Sequence, residues 1–236
     1  MITTQRQIHR YTRGNWEDPS DVVVREEVFL IYLDGHHIHT AFCLPADLDL
    51  LLIGHLFQSR FITELSDIET LEMDSTKKEA HVILRASRSK PDYPPVPSLP
   101  LEPFITPEIV LKYAENLAEN HLFRKTGAVH CGLIVDSDKV VFMVEDTGRF
   151  NVLEKLTGFI LRKKLNPSGL ILFFSGRLTC GVMERVSRSG IRVVVSPAAP
   201  TSRGIETAIA EGVTAIGFAR GERFNLYTHP ERIVRE

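Results

Sequence analysis

The sequence predicts an α/β protein, α+β overall, with a smaller β-rich N-terminal part (1–105) and a three-layer α/β/α part (106–236). Three observations predict it. After Thr126 apolar runs alternate with amphipathic stretches that end at a glycine: 170–174, then 178–189 and Gly190; 191–196, then 201–211 and Gly212; then 213–218. Such alternation builds βαβ units, whose right-handed crossovers put helices on both faces of a largely parallel sheet. Before it the runs are short and β-branched, with Asp34-Gly35 as a hairpin signal. Prolines recur from Pro91 to Pro107. Proline fixes φ and removes a donor, so this segment reads as an extended linker or lid between the two parts.

Each element follows in order. Residues 1 to about 20 are polar and carry Gly14 and Pro19, which predicts an irregular surface arm. Runs 22–24 and 28–33 are strands, and Asp34-Gly35 turns the second antiparallel into 36–42. Pro45 and Asp47 open a helix with Leu48, Leu51, Leu52, His55 and Leu56 at helical spacing. Strands 68–73 and 79–86 flank Asp74-Ser75. Thr106-Pro107-Glu108 caps a helix that places Ile109, Val110, Tyr113, Ala114 and Leu117 on one face. Segments 129–136 and 139–144 form a hairpin across Ser137-Asp138, and helix 151–164 buries Val152, Leu156, Phe159 and Ile160 before the alternating series begins.

Charge and composition exclude several classes. Lys plus Arg number 28 against 30 Asp plus Glu, which argues against a sequence-independent nucleic-acid binder. No window approaches the roughly 18 apolar residues of a membrane span, and residues 1–10 lack the apolar core of a secretory signal, so a cytoplasmic location without membrane attachment is expected. Cys43, Cys131 and Cys180 are scattered and make no Cys-x-x-Cys, so neither a disulfide framework nor a protein-ligated metal is expected.

Two strand-to-helix turns carry chemistry. One is Glu145-Asp146-Thr147-Gly148-Arg149-Phe150-Asn151 and the other Ser175-Gly176-Arg177. Amides at a helix start have no intrahelical partner and lie at the positive end of the dipole, and a guanidinium adds a bidentate clamp. Asp146, Gly148, Arg149, Asn151, Ser175, Gly176 and Arg177 are therefore candidate anion-site residues. An open α/β sheet binds ligands at the carboxyl ends of its strands, which here carry these turns, Ser196-Pro197 and 217–223.

In order along the chain these blocks resemble those of the FdhD family, the formate dehydrogenase accessory sulfurtransferases. The resemblance rests on 145–151, Ser175-Gly176-Arg177, 196–202, Gly217-Phe218-Ala219-Arg220, 224–232 and Thr126-Gly127-Ala128-Val129-His130, with Asp34-Gly35, Pro45-Ala46-Asp47-Leu48 and Gly54 in the N-terminal half. It implies a sulfur carrier that takes sulfane sulfur from a cysteine desulfurase. The sulfur goes to a molybdenum bis(molybdopterin guanine dinucleotide) cofactor, bound as substrate, before that cofactor enters formate dehydrogenase. It also implies a homodimer and a C-terminal layout similar to cytidine deaminases. The family's cofactor block corresponds to Phe218, Ala219, Arg220, Gly221, Glu222 and Arg223, and Asp146 would accept donors from a guanine or ribose edge.

The chain departs from the pattern in informative places. The family's sulfur-bearing Cys-x-x-Cys falls where this chain reads Ser87-Arg88-Ser89-Lys90-Pro91-Asp92-Tyr93-Pro94-Pro95, without a thiol. Phe150 replaces a His, Gly181 a Glu, and Arg60-Phe61 a Glu-Gly pair. Cys131 is the best remaining thiol, because an imidazolium at His130 would lower its pKa; a buried strand cysteine is the other reading. Cys180 lies in the first turns of a helix whose dipole favours thiolate, although the same helix needs an apolar face, and Cys43 is structural. A cofactor-holding chaperone without sulfur transfer is the alternative function. A zinc deaminase would need His-x-Glu and Pro-Cys-x-x-Cys, but His130 is followed by Cys131 and Gly132 without a Glu, and Cys180 has no cysteine three residues on.

Overall fold

A computed structural model describes residues 1–86, 104–118 and 121–235. The proline-rich linker or lid expected from the sequence lies almost wholly outside them.

The N-terminus is a hairpin rather than the irregular arm expected. β1 (Thr3–Gln7) pairs antiparallel with β4 (Ser20–Val24), and beyond them β2 (Arg10–Thr12) pairs with β3 (Asn15–Glu17). Arg13 and Gly14 both take positive φ, 49° and 95°, which is what a tight hairpin turn matched to strand twist requires. Only the glycine half of that turn is visible in the sequence.

β5 (Glu27–Leu33), β6 (His36–Cys43), α1 (Leu48–Gln58), β7 (Ile68–Asp74) and β8 (Glu79–Leu84) follow. They form a four-stranded sheet in the order β6-β5-β8-β7, with β5 parallel to β8. Alternation along β5 sends Phe29 and Ile31 inward against Leu51, Leu52 and Leu56 of α1.

The larger part contains α2 (Pro107–Ala118), α3 (His121–Thr126), β9 (His130–Asp136), β10 (Lys139–Asp146), α4 (Arg149–Lys163), β11 (Leu170–Phe174), α5 (Cys180–Arg188), β12 (Val193–Val195), α6 (Ser202–Ala210), β13 (Thr214–Arg220) and β14 (Arg223–Leu226). Their sheet runs β10-β9-β11-β12-β13-β14. It is mixed, not largely parallel: β11, β12 and β13 are parallel, while the hairpins β9/β10 and β13/β14 flank them antiparallel. The physical reason is connection length, since two-residue turns permit only antiparallel pairing and parallel neighbours need a helical crossover.

Helices cover both faces. Val152, Leu156, Val182, Val186 and Ala208 pack on Ile134, Leu172, Phe174 and Ala215. On the other face Val110, Tyr113 and Leu117 of α2 meet Leu133, Ile171, Phe173 and Ile216. The two parts join where α1 crosses α4. A Cβ on Gly54 would stand 1.7 Å from the Glu154 carbonyl oxygen, and one on Gly158 would stand 2.1 Å from that of Leu50, so the backbones touch and both positions need glycine. Among the described residues no helix is long and apolar enough to cross a membrane.

Candidate functional site

The carboxyl ends of β10, β11, β12 and β13 lie at one end of the large sheet, and the turns that leave them differ in what their amides meet. After β10, Asp146 is fully buried. Its Oδ1 accepts from the Gly148 amide (2.9 Å) and from Asn151 Nδ2 (2.8 Å), and its Oδ2 accepts from the Leu44 amide (3.2 Å). Lys155 Nζ lies 2.6 Å from Oδ2, with both side chains at 0% exposure. Asn151 Nδ2 also donates to the Phe42 carbonyl at 2.7 Å. A carboxylate of the chain itself thus sits where an external anion would bind, at the positive end of α4. The motif clasps the two parts of the molecule together. Asp146 and Asn151, expected to face a ligand, face Phe42 and Leu44 instead.

Arg149 remains exposed, its guanidinium carbon 4.7 Å from the centre of the Phe150 ring, with Arg185 at 4.0 Å from the same ring. A Cβ at Gly181 would lie 3.4 Å from the ring. Two of the departures, Phe150 and Gly181, are therefore neighbours: the ring packs beside the position that a side chain at 181 would enter.

After β11 the arrangement is open. The Ser175 hydroxyl accepts from the Cys131 amide at 2.9 Å and stands 3.3 Å from His130 Nδ1, and the Gly176 carbonyl accepts from the Ser196 hydroxyl at 2.9 Å. These contacts fix the loop while Arg177 projects into solvent. α5 then starts behind Thr179, whose side chain caps nothing. After β12, by contrast, the Thr201 hydroxyl accepts from the Gly204 amide at 3.1 Å, and the Ser196 hydroxyl from the Ala198 amide at 3.0 Å. Among the described residues α4 and α5 both start without a side-chain cap, but the turn into α4 holds the buried Asp146 carboxylate on the Gly148 amide, whereas no side-chain carboxylate accepts from an amide of the turn into α5.

The 218–223 block forms the tip of the β13/β14 hairpin. Phe218 is half-buried in the left-handed region (φ 53°), and its amide donates to the Ala198 carbonyl at 3.1 Å. Gly221 supplies the turn with φ 57°. Arg220 and Arg223 are exposed and paired directly across the ladder. Like charges opposite one another are destabilising, and an anion between them would relieve the repulsion. Farther along, the 224–232 block is tied to the core at two buried residues: the Thr228 hydroxyl bridges the Val213 carbonyl (2.7 Å) and the Ala215 amide (2.8 Å), and Arg232 donates to the Gly212 carbonyl (2.9 Å).

The thiols sort themselves by burial. Cys43 is 0% exposed, and burial, reinforced by Asp146, pushes its pKa up to about 12. Cys131 is 1% exposed, its pKa pushed up to about 11 by burial despite the Ser175 hydroxyl. His130 is itself held below the usual imidazole range by burial and then by Arg149, so it does not supply the imidazolium expected to activate Cys131. Cys180 is the thiol with solvent access, half-buried at the first position of α5 and 3.5 Å from Glu184 Oε1.

One charged cluster escaped the sequence reading. His55 of α1 stacks on His39 at 4.0 Å, and its Nδ1 lies 3.4 Å from Glu154 Oε1, with Arg185 Nε at 3.9 Å from the same oxygen. Helical spacing made His55 look like one more inward position; its partners lie on three other elements.

The comparisons with known proteins agree with this architecture. The model of the FdhD/NarQ family matches residues 24–96 and 93–234. A protein named Sulfur carrier protein FdhD from Staphylococcus haemolyticus is 30% identical over 250 residues, covering 96% of this chain and 95% of its own length. Its namesake in Bacillus subtilis is 28% identical over 256 residues, with 98% of each chain covered. A crystal structure described as a formate dehydrogenase accessory protein from Desulfotalea psychrophila superposes with a TM-score of 0.86 at 22% identity, covering 99% of this chain and 100% of that one, and so shares the fold. Matched along nearly its whole length by the family model, the chain belongs to the FdhD/NarQ family.

Proposed function

We propose that this chain is a sulfur carrier for formate dehydrogenase maturation, working in the cytoplasm between a cysteine desulfurase and the molybdenum bis(molybdopterin guanine dinucleotide) cofactor. The observation that supports it most is a coincidence of position. Exposed Arg149, Arg177, Arg220 and Arg223 stand at the end of the sheet where the accessible thiol also lies. Guanidiniums at that end suit the phosphates of a dinucleotide, and the start of α5, where the Thr179 side chain makes no cap, adds the positive end of a helix dipole. In this reading Phe218 to Arg223 receive one guanine dinucleotide arm and Ser175 to Arg177 another phosphate.

Cys180 is the thiol assigned to the sulfur. Its thiolate attacks the terminal sulfur of the desulfurase persulfide; a new S–S bond forms on Cys180, the old one breaks, and the desulfurase leaves as a thiolate. No net oxidation is required. The absence of a Cys-x-x-Cys, with Cys43 and Cys131 buried, favours a second reading in which the chain holds the cofactor as a chaperone and carries no sulfur.

Peptide mass spectrometry after incubation with a cysteine desulfurase and cysteine separates the two. The carrier reading expects reducible sulfur on Cys180 and none on Cys43 or Cys131, with loading abolished by Cys180→Ser. Full in vivo support of formate dehydrogenase by Cys180→Ser, with no sulfur on any thiol, would establish the chaperone instead.

A further inference from the structure

The start of α5 carries the accessible thiol, and Arg185 gives that start a polar tie to α4. Its Nη1 donates to the Gly181 carbonyl at 3.2 Å, while the guanidinium carbon lies 4.0 Å from the centre of the Phe150 ring. The other end of α5 is fastened separately. There Gln58 Nε2 donates to the Arg185 carbonyl at 3.0 Å, and Arg188 Nη1 donates to the Gln58 carbonyl at 3.2 Å. Loosening the Arg185 side chain therefore acts on the first turn and leaves the far end in place.

Arg185 shares its carboxylate with a histidine. Glu154 Oε1 lies 3.9 Å from Arg185 Nε and 3.4 Å from His55 Nδ1. Glu154 is only 4% exposed, yet its Oε2, His55 Nδ1 and Arg185 Nε are all buried without a hydrogen-bond partner among the described residues. A buried carboxylate that stands between two donors and bonds to neither can be drawn to either, and drawing it satisfies atoms that are otherwise costly to bury. His55 stands in the last turn of α1, where the helix dipole favours a cation, and its Nε2 lies 3.4 Å from the Ser59 hydroxyl. The His55 ring stacks on His39 of β6 with centres 4.0 Å apart. Burial, and then His55 itself, hold His39 below the usual imidazole range, so that ring stays neutral beside its neighbour. The other charged or titratable groups around the cluster are His37 on β6, Arg149 on α4, and Glu184 and Arg188 on α5.

We infer that His55 and Glu154 form a proton-operated latch on the start of α5: a proton taken up at His55 draws the Glu154 carboxylate to the imidazolium, away from Arg185, and frees the turn that carries Cys180. The imidazolium also repels the guanidinium, so both changes act in one direction. The proton comes from solvent, and the cluster gains one positive charge. The latch does not depend on the sulfur reading. A thiol used as a carrier gains from it an exposure that rises in acid.

Nuclear magnetic resonance of the full chain between about pH 8 and about pH 5 tests it. The Phe150 ring protons and the Gly181 amide should titrate with the midpoint read from the His55 ring itself, and both movements should vanish in His55→Gln. Arg185→Ala should leave the His55 titration in place and hold Cys180 in its exposed state at every pH. A pyridyl disulfide reacts with thiols in acid as well, and with Cys43 and Cys131 buried it reports Cys180. Its rate on the unaltered chain, relative to His55→Gln at the same pH, should rise about threefold from about pH 7.5 to about pH 5.5. Should His55→Gln not fold, His39→Gln serves: it opens the His55 ring to water, and should raise the midpoint while keeping the coupling. A His55 that titrates while Phe150 and Gly181 stand still overturns the inference, as does a His55 that stays neutral throughout. So does a movement that survives His55→Gln, which would assign it to another group.

Discussion

The turns after β10 and after β11 carry the same pair ahead of a helix, Gly148-Arg149 and Gly176-Arg177, and the structure uses them oppositely. The first is closed by Asp146, whose oxygens hold Gly148, Asn151, Leu44 and Lys155. Both helices begin without a side-chain cap, but among the described residues no such carboxylate closes the second turn, and its helix opens on an accessible thiol. A helix start attracts an anion in both cases. Where the chain supplies that anion the turn becomes a structural joint; where it does not, we propose that a ligand takes the place.

The contrast can be broken most severely at the joint. Asp146→Ala leaves Lys155 charged and buried without its partner, which should cost about 3–5 kcal/mol of stability, read as a lowered urea midpoint. If the midpoint holds while ligand binding is lost, the joint is a site after all. The open turn predicts the reverse. Arg177→Ala should leave the urea midpoint nearly unchanged, yet weaken cofactor binding by a charge-assisted contact, roughly 1.5–3 kcal/mol. Arg223→Ala at the hairpin tip should behave likewise, and unchanged affinity would place that side chain in solvent.

Acid sharpens the comparison more gently. His39 and His130 are both held below the usual imidazole value of 6.5, chiefly by burial. The unfolded chain takes up these protons near that value while the folded chain does not, so stability is full above it and declines as the pH falls below. Denaturation at about pH 7.5 and about pH 5.5 should show the loss, and His39→Gln with His130→Gln should flatten it. The smallest effect belongs to Cys180→Ser, which should leave stability within about 0.5 kcal/mol because the side chain is partly exposed and fills no core space.

How much of this was legible follows from sequence distance. The alternation after Thr126 and the Gly-Arg pairs are local signals, and they located the helices and the sheet end correctly. Whether a turn is open or closed is not local. The Leu44 amide that meets Asp146 is 102 residues away, and no spacing rule joins them. The burial of Cys131 has the same origin, because its strand is covered by α2, whose Leu117 carbonyl lies 3.6 Å from the sulfur. The N-terminal hairpin was hidden for a different reason: half of its turn is Arg13 in a left-handed conformation that arginine seldom signals. Asn151 was read as a ligand group because it stands in a motif, and its role as a tie to Phe42 needs the fold to be seen.

The most direct test of the contrast is a backbone amide nuclear magnetic resonance titration of the full chain with guanosine diphosphate, a probe carrying the guanine and phosphates of the cofactor arm. The account predicts shifts concentrated at 176–182 and 218–223, with Gly148 and Asn151 unmoved. Shifts centred on 147–151, with 176–182 silent, would show that Asp146 yields its place to a ligand and would contradict the division between joint and site.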